Sequence, residues 1–122
     1  MNVITILLVL VGLINLAPIL GLLGAAKLND AYAIKLVSND LILLMRHRAL
    51  LFGILGGFIL YAAFEPKYQS AAMLMALISM AGFLVLMLGG GEYNAALKKV
   101  MLIDIVGIVL LGIAAILKFK AA

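Results

Sequence analysis

Long stretches without a charged residue are the feature that most limits what this chain can fold into. The segment from Val3 to Ala26 contains no charged side chain, and neither does the segment from Tyr68 to Gly91. A helix needs about 20 apolar residues to cross the hydrocarbon core of a bilayer. Of the 122 residues 68% are hydrophobic and only 11% are charged, which is too few polar side chains to cover a water-soluble domain. The sequence therefore excludes a soluble enzyme, a nucleic-acid-binding domain and a disordered tail.

Two further apolar runs are too short to cross a membrane unless they are extended toward the N-terminus. The uncharged run 49–64 and the uncharged run 105–117 reach roughly 24 Å and 20 Å as helices, against a core about 30 Å thick. Extension brings Arg46, His47 and Arg48 into the second span and Asp104 into the fourth. The sequence thus predicts ionisable groups at or inside the membrane boundary.

These runs predict an all-α fold, an integral membrane four-helix up-and-down bundle that forms a single domain over 1–122. The spans are expected at about 3–26, 41–64, 69–91 and 97–117. The connecting segment 27–40 holds most of the polar residues outside the spans and is expected to form a short interfacial helix, with Asn39 and Asp40 as caps of the second span. Glu65, Pro66 and Lys67 are expected to form a tight turn, because proline stops a helix.

Several polar side chains of the predicted spans fall at one depth. Four antiparallel spans place the starts of the second and fourth spans on one side of the membrane. We therefore predict one ligand-binding site near that side, with Arg46 as the deep cation, Asp104 as its partner, Asn15 as an orienting group, and His47 and Arg48 at the mouth. Two arginines and a histidine would suit a carboxylate, a phosphate or a quinone oxygen. The alternative is a purely structural Arg–Asp pair that fixes the register of the helices.

Helical phase separates the two arginines of the second span. Arg46 shares a stripe of small residues with Ala49, Gly53 and Gly57, which predicts that it points toward a partner helix. Arg48 lies about 200° away around the helix, on a stripe with Phe52, Leu55 and Ile59, and is predicted to face lipid.

Catalytic and metal-binding motifs are not evident. The chain has one histidine and no cysteine, so neither a metal site nor a catalytic residue is predicted, and an enzymatic role is not favoured. No cofactor is predicted either, although a quinone or a lipid would fit the polar half of the bundle.

Three segments resemble a known group of proteins. The segments LVGLINLAPILGLL, LILLMRHRALLFGILGG and GGGEYNAALKKVMLIDIVGIVLL are similar to small bacterial four-span membrane proteins that are broadly DoxX-like. The most specific elements are Arg46-His47-Arg48 followed by Ala-Leu-Leu-Phe-Gly, then Tyr93-Asn94 and Asp104. The resemblance implies a four-helix bundle in the bacterial inner membrane with cytoplasmic termini. Relatives are often labelled phosphopantetheine adenylyltransferase, but this chain lacks a soluble nucleotide-binding fold and the His-x-Gly-His motif of that activity.

The function expected from the sequence is non-enzymatic binding of a lipid headgroup or of an anionic, amphipathic small molecule. One alternative is a structural or accessory subunit of a larger membrane complex, such as a quinone-linked redox complex. A second alternative is a small transporter, for which only Asn15 stands where small multidrug transporters carry a glutamate. Expected partners are membrane lipids and either further copies of the chain or a larger complex, with no nucleic acid.

Overall fold

The computed structural model describes residues 2–17, 38–90, 93 and 95–120, and in these ranges the chain is helical and has no strand. The helices are α1 (Val3–Leu16), α2 (Asn39–Ala63), α3 (Pro66–Leu88) and α4 (Ala95–Lys120). The predicted all-α fold is confirmed. Three of the helices, namely α2, α3 and the Leu97–Lys120 part of α4, are long and apolar enough to cross a membrane. They mark the chain as a membrane protein.

Helix α1 is shorter than the first span predicted from the sequence. It has 14 residues, or about 21 Å of helix. It begins after Asn2, whose side-chain oxygen accepts a hydrogen bond of 2.8 Å from the backbone N–H of Thr5. The remainder of the predicted first span, 18–26, and the part 27–37 of the predicted interfacial segment lie outside the described residues.

The start of α2 differs from the prediction in its capping residue. The N-cap is Ser38, whose hydroxyl oxygen accepts a hydrogen bond of 3.1 Å from the backbone N–H of Leu41. Asn39 and Asp40, which were expected to cap the helix, lie within its first turn. Serine reaches the third helical N–H from the position before the helix, and the charge of Asp40 is then favourable beside the positive end of the helix dipole.

Helices α2 and α3 form a hairpin with a very short connection. Phe64 is the C-cap of α2, Glu65 is the N-cap of α3, and Pro66 is the first residue of α3. Proline fits this position because its fixed φ suits the first turn and its missing N–H has no helical partner there. Helix α3 ends at Leu88, with Gly89 as its C-cap.

The four helices form a ring in which α1 packs against α2 and α4, and α3 also packs against α2 and α4. The register of α1 and α2 is set by two glycines. A Cβ atom added at Gly56 would lie 2.5 Å from the backbone nitrogen of Leu16, and one added at Gly12 would lie 3.2 Å from that of Leu60. Glycine at these two positions permits the close backbone approach. Residue numbers rise along α1 while they fall along α2, so the two helices are antiparallel.

Helices α3 and α4 are antiparallel as well. The ammonium group of Lys118 donates to the side-chain oxygen of Gln69, and Gly107 lies against the sulfur of Met80. One end of the bundle, called here the hairpin end, therefore carries the α2–α3 turn, the start of α1 and the end of α4. The other end, called the far end, carries the starts of α2 and α4 and the end of α3.

The core draws on all four helices, and the outer surface is apolar. The buried cluster consists of Leu8, Val11, Ile59, Ala62, Ala63, Ala72, Met73, Ala76, Met80, Leu111 and Ala114. Large apolar side chains are exposed on every helix, including Leu13, Ile54, Ile78 and Ile116. Such a surface would associate in water, and it matches the hydrocarbon interior of a bilayer.

Candidate functional site

The three consecutive polar residues of α2 point in different directions. Arg46 and His47 are exposed, whereas Arg48 is partly buried. The sequence prediction had assigned Arg46 to the interior and Arg48 to the lipid. The structure shows the reverse: Arg48 is the more buried of the two arginines, and Arg46 is on the exposed side of α2.

The physical reason for this difference is that α2 packs against two helices, α1 and α3. Ala49, Gly53 and Gly56 are buried on one side of the contact arc. The adjacent stripe, which begins with Arg48 and was predicted to face lipid, ends in Ile59, a residue with 0% exposure. The buried arc of α2 is therefore wider than one stripe and includes Arg48. Gly57, which was predicted to lie in the close-packing stripe, is exposed, and nothing lies within 4 Å of the position of an added Cβ atom.

Arg48 lies in a groove on the bundle surface. The groove has a volume of about 230 Å³ and is lined by Arg48, Leu51, Phe52, Leu55 and Ser79. The first four come from α2 and Ser79 comes from α3, so the groove, called here the Arg48 groove, runs between these two helices. The guanidinium carbon of Arg48 lies 4.6 Å from the ring centre of Phe52, one helical turn along α2. The ring thus holds the cation against an apolar wall.

Asp104 is the acidic residue of this region. It is partly buried in α4, seven residues inside the start of the predicted fourth span and hence about 10 Å below the expected membrane boundary. Arg48 is close enough for its positive charge to act on the carboxyl group of Asp104. The sequence predicts Arg46 as the partner of Asp104, and that pairing stays a prediction.

Asn15 serves the packing of α1. It is 3% exposed, and its side-chain nitrogen donates a hydrogen bond of 2.9 Å to the backbone oxygen of Val11 in the same helix. A bond of this kind satisfies a polar side chain inside a helix without a partner from another element. Gly12 and Asn15 share the buried face of α1. The described lining of the Arg48 groove does not include Asn15.

A second polar group lies at the hairpin end and was missed by the sequence analysis. Gln69 is 4% exposed, and its side-chain nitrogen donates a hydrogen bond of 3.2 Å to the backbone oxygen of Ala63, near the end of α2. The ammonium group of Lys118 donates one hydrogen bond of 3.1 Å to the side-chain oxygen of Gln69 and another of 3.2 Å to the backbone oxygen of Pro66. This Gln69–Lys118 latch ties α4 to the hairpin. A signal was present in the sequence, because carbonyl groups just before a helix-stopping proline need donors from elsewhere.

Metal-ligand clusters give no further candidate. Within the described ranges there is no group of three or more histidine, cysteine, aspartate and glutamate side chains that would hold a metal ion. Met73 and Met80, which recur at a spacing of seven residues in α3, are buried in the core. Their environment is that of packing residues.

Among the described residues, the candidate site that the geometry supports is the Arg48 groove, with Asp104 as an acid on which Arg48 acts. Arg46 and His47 lie on the exposed side of the same helix, and Asn15 is satisfied within α1. Comparison with known proteins identifies no relative of this chain, since no family model, no curated protein and no solved structure matches it.

Proposed function

We propose that this membrane protein binds an anionic, amphipathic molecule in the Arg48 groove, with the anionic group on Arg48 and the apolar part along the α2–α3 surface. The observation that carries the proposal is the partly buried Arg48, held over the ring of Phe52 at the edge of a groove that is otherwise almost entirely apolar. A single fixed cation next to apolar walls suits a ligand that has both a charge and a hydrocarbon part.

The chemistry of the cation supports an oxyanion as its ligand. A guanidinium group presents donors in a planar fork that matches carboxylate and phosphate oxygens. The hydroxyl group of Ser79, across the groove on α3, offers a further donor or acceptor. A lipid phosphate and the carboxylate of a small amphipathic molecule share this recognition, and both would reach the groove from the membrane.

In this proposal Asp104 modulates the affinity of the Arg48 groove for anions. Its charge and that of Arg48 partly neutralise each other, which lowers the cost of keeping an arginine within the apolar part of the bundle. An anionic ligand would compete with the carboxylate for the guanidinium group. Asp104 therefore sets how strongly the groove attracts anions.

The accessory-subunit hypothesis has less support. It expects the small-residue faces of the helices to meet another polypeptide. Gly12, Gly56 and Gly107 instead lie against side chains or backbone of this chain's own helices. Native mass spectrometry tests this alternative, because an obligate subunit would require other polypeptides for a stable, defined state.

Thermal stabilisation of the detergent-purified protein by phosphatidylglycerol, compared with phosphatidylcholine of the same acyl chains, tests the proposed function. Arg48→Ala is expected to lower the extra stabilisation by the anionic lipid, and Arg48→Lys to retain more of it. The matched control is Arg46→Ala, which removes an exposed arginine two residues away and is expected to retain most of the effect. Equal responses of wild type and Arg48→Ala to the anionic lipid would overturn the proposal.

A further inference from the structure

A second groove lies at the hairpin end, between α3 and α4. It has a volume of about 350 Å³, and its floor is formed by Met73 and Leu111, which are almost fully buried. Leu77 and Ile108 line its inner part. The groove, called here the α3–α4 groove, is apolar and lies on helices long and apolar enough to cross a membrane.

One residue of α4 that lines the groove has no side chain. Gly112 lines it, and nothing lies within 4 Å of the position that a Cβ atom would occupy. In contrast to Gly12 and Gly56, this glycine is not needed for close approach of two helices. It leaves open space on the outer surface, where the surrounding medium is lipid hydrocarbon.

The groove has the direction and length of an acyl chain in one monolayer. From Phe119 at the hairpin end to Ile108, it follows α4 for about 16 Å, which is close to half of a bilayer core about 30 Å thick. Ser70, on the first turns of α3, lies at the same outer end of the groove as Phe119. A chain in this groove would therefore lie parallel to the helices and end near the membrane surface.

The charge at the mouth of the groove is positive. Lys118 directly precedes Phe119, and two of its three ammonium protons are used by Pro66 and Gln69. Lys67 lies one turn from Ser70 along α3, with its ammonium group 5.2 Å from the ring centre of Tyr68. Glu65 is the acidic residue among the described residues of this end, so the lysines, including Lys120, exceed it in charge. This balance favours a phosphate over a cationic group at the mouth.

We infer that the α3–α4 groove is a binding site for an anionic membrane phospholipid, with one acyl chain along Gly112 and the phosphate near Lys118 and Lys67. The site is separate from the Arg48 groove. The two grooves use opposite sides of α3, because Ser70 and Ser79 are nine residues apart and hence about 180° apart around the helix.

Native mass spectrometry of the full chain, incubated in detergent with dioleoyl phosphatidylglycerol or dioleoyl phosphatidylcholine, tests this inference. Each variant and its reference carry Arg48→Ala, so that the Arg48 groove does not contribute to the binding of the anionic lipid. Gly112→Leu fills the groove and is expected to lower retention of phosphatidylglycerol about tenfold, since contact with about two methylene groups is lost. The matched control is Gly57→Leu, at an equally open glycine of α2, which is expected to retain the lipid as the reference does. Equal retention by Gly112→Leu and the reference would overturn the inference.

Further variants test the phosphate and the occupant. Lys118→Met is expected to abolish the preference for phosphatidylglycerol over phosphatidylcholine, whereas Gln69→Leu breaks the latch but keeps the cation and should keep the preference. Stabilisation by inorganic phosphate equal to that by phosphatidylglycerol would contradict a lipid site. A dimer that disappears in Gly112→Leu would assign the groove to a second copy of the chain and would also contradict it. Arg48→Ala should leave retention at this groove unchanged, so failure of the proposed function and failure of this inference are distinguishable.

Discussion

Gly56 is the position where two helices of the bundle approach most closely. The backbone of Leu16 leaves no room for a Cβ atom there, whereas the neighbouring Gly57 faces open space. We expect Gly56→Ala to destabilise the protein by about 1–3 kcal/mol through overpacking. Gly57→Ala should be neutral or stabilising by up to about 1 kcal/mol, because alanine is the better helix former. Thermal unfolding of both variants in one detergent checks this difference, and an equal effect of the two substitutions would contradict the described α1–α2 contact.

Asp104 gives a second prediction for a single residue, which rests on the proposed function. Asp104→Asn removes the carboxylate that competes with an anionic ligand for Arg48. We expect the affinity for phosphatidylglycerol to rise by about 1 kcal/mol, or about five-fold in Kd. Titration of the lipid against thermal stability measures the shift, with Asp40→Asn in the exposed first turn of α2 as the control. A loss of binding in Asp104→Asn would show that the carboxyl group itself holds the ligand.

The orientation of the arginines shows what helical phase can and cannot predict. The sequence placed Arg46, Arg48 and Asp104 at one depth, which follows from counting residues along apolar runs. Which arginine faces inward depends on how many neighbours α2 has and where they lie. That information comes from the ring order of the four helices, which a single helical stripe does not contain.

At the scale of helices, the predicted and observed ends agree within a few residues for α2, α3 and α4. The ends are predictable because charged residues, glycine and proline interrupt the apolar runs there. The buried faces of α1 and α4 also agree with helical spacing, since Gly12 and Asn15, three residues apart, and Gly107 and Leu111, four apart, are all buried. The cap at Ser38 and the contacts of Gln69 were not predicted. The cap and these contacts depend on individual side-chain hydrogen bonds, which the pattern of apolar residues does not reveal.

The Gln69–Lys118 latch is the clearest polar link between helices at the hairpin end. In Gln69→Ala the backbone oxygen of Ala63 and the ammonium group of Lys118 each lose a partner, which we expect to cost about 1–3 kcal/mol. The last turn of α4 should also exchange its amide hydrogens faster. Hydrogen exchange with mass spectrometry measures this, and Ser70→Ala, an exposed neighbour, serves as the control. Unchanged exchange in the last turn of α4 would contradict a role of the latch in holding that helix.

At the scale of the whole molecule, the antiparallel ring sorts the ionisable and aromatic groups to the two ends of the bundle. The hairpin end carries Lys67, Lys118 and Lys120. It also carries Tyr61 and Tyr68, whose ring centres are 5.8 Å apart. Such rings beside lysines are typical of a membrane–water interface. The far end carries the arginines, Lys98 and Lys99. The α3–α4 groove thus lies beside the lysines of the hairpin end, and the Arg48 groove lies nearer the middle of the bundle on the other side of α3.

The ring order predicts which residues share a membrane surface, and the absence of native cysteine makes this directly measurable. Glu65→Cys and Lys120→Cys at the hairpin end should react alike with a membrane-impermeant maleimide in intact cells. Ser38→Cys and Tyr93→Cys at the far end should react alike and opposite to the first pair. If the hairpin end is cytoplasmic, as the DoxX-like resemblance implies, only the far-end pair is labelled from outside. The lysine and arginine count favours the reverse orientation. Labelling of Glu65→Cys and Ser38→Cys from the same side would contradict a membrane-spanning α2 and with it both proposed lipid sites.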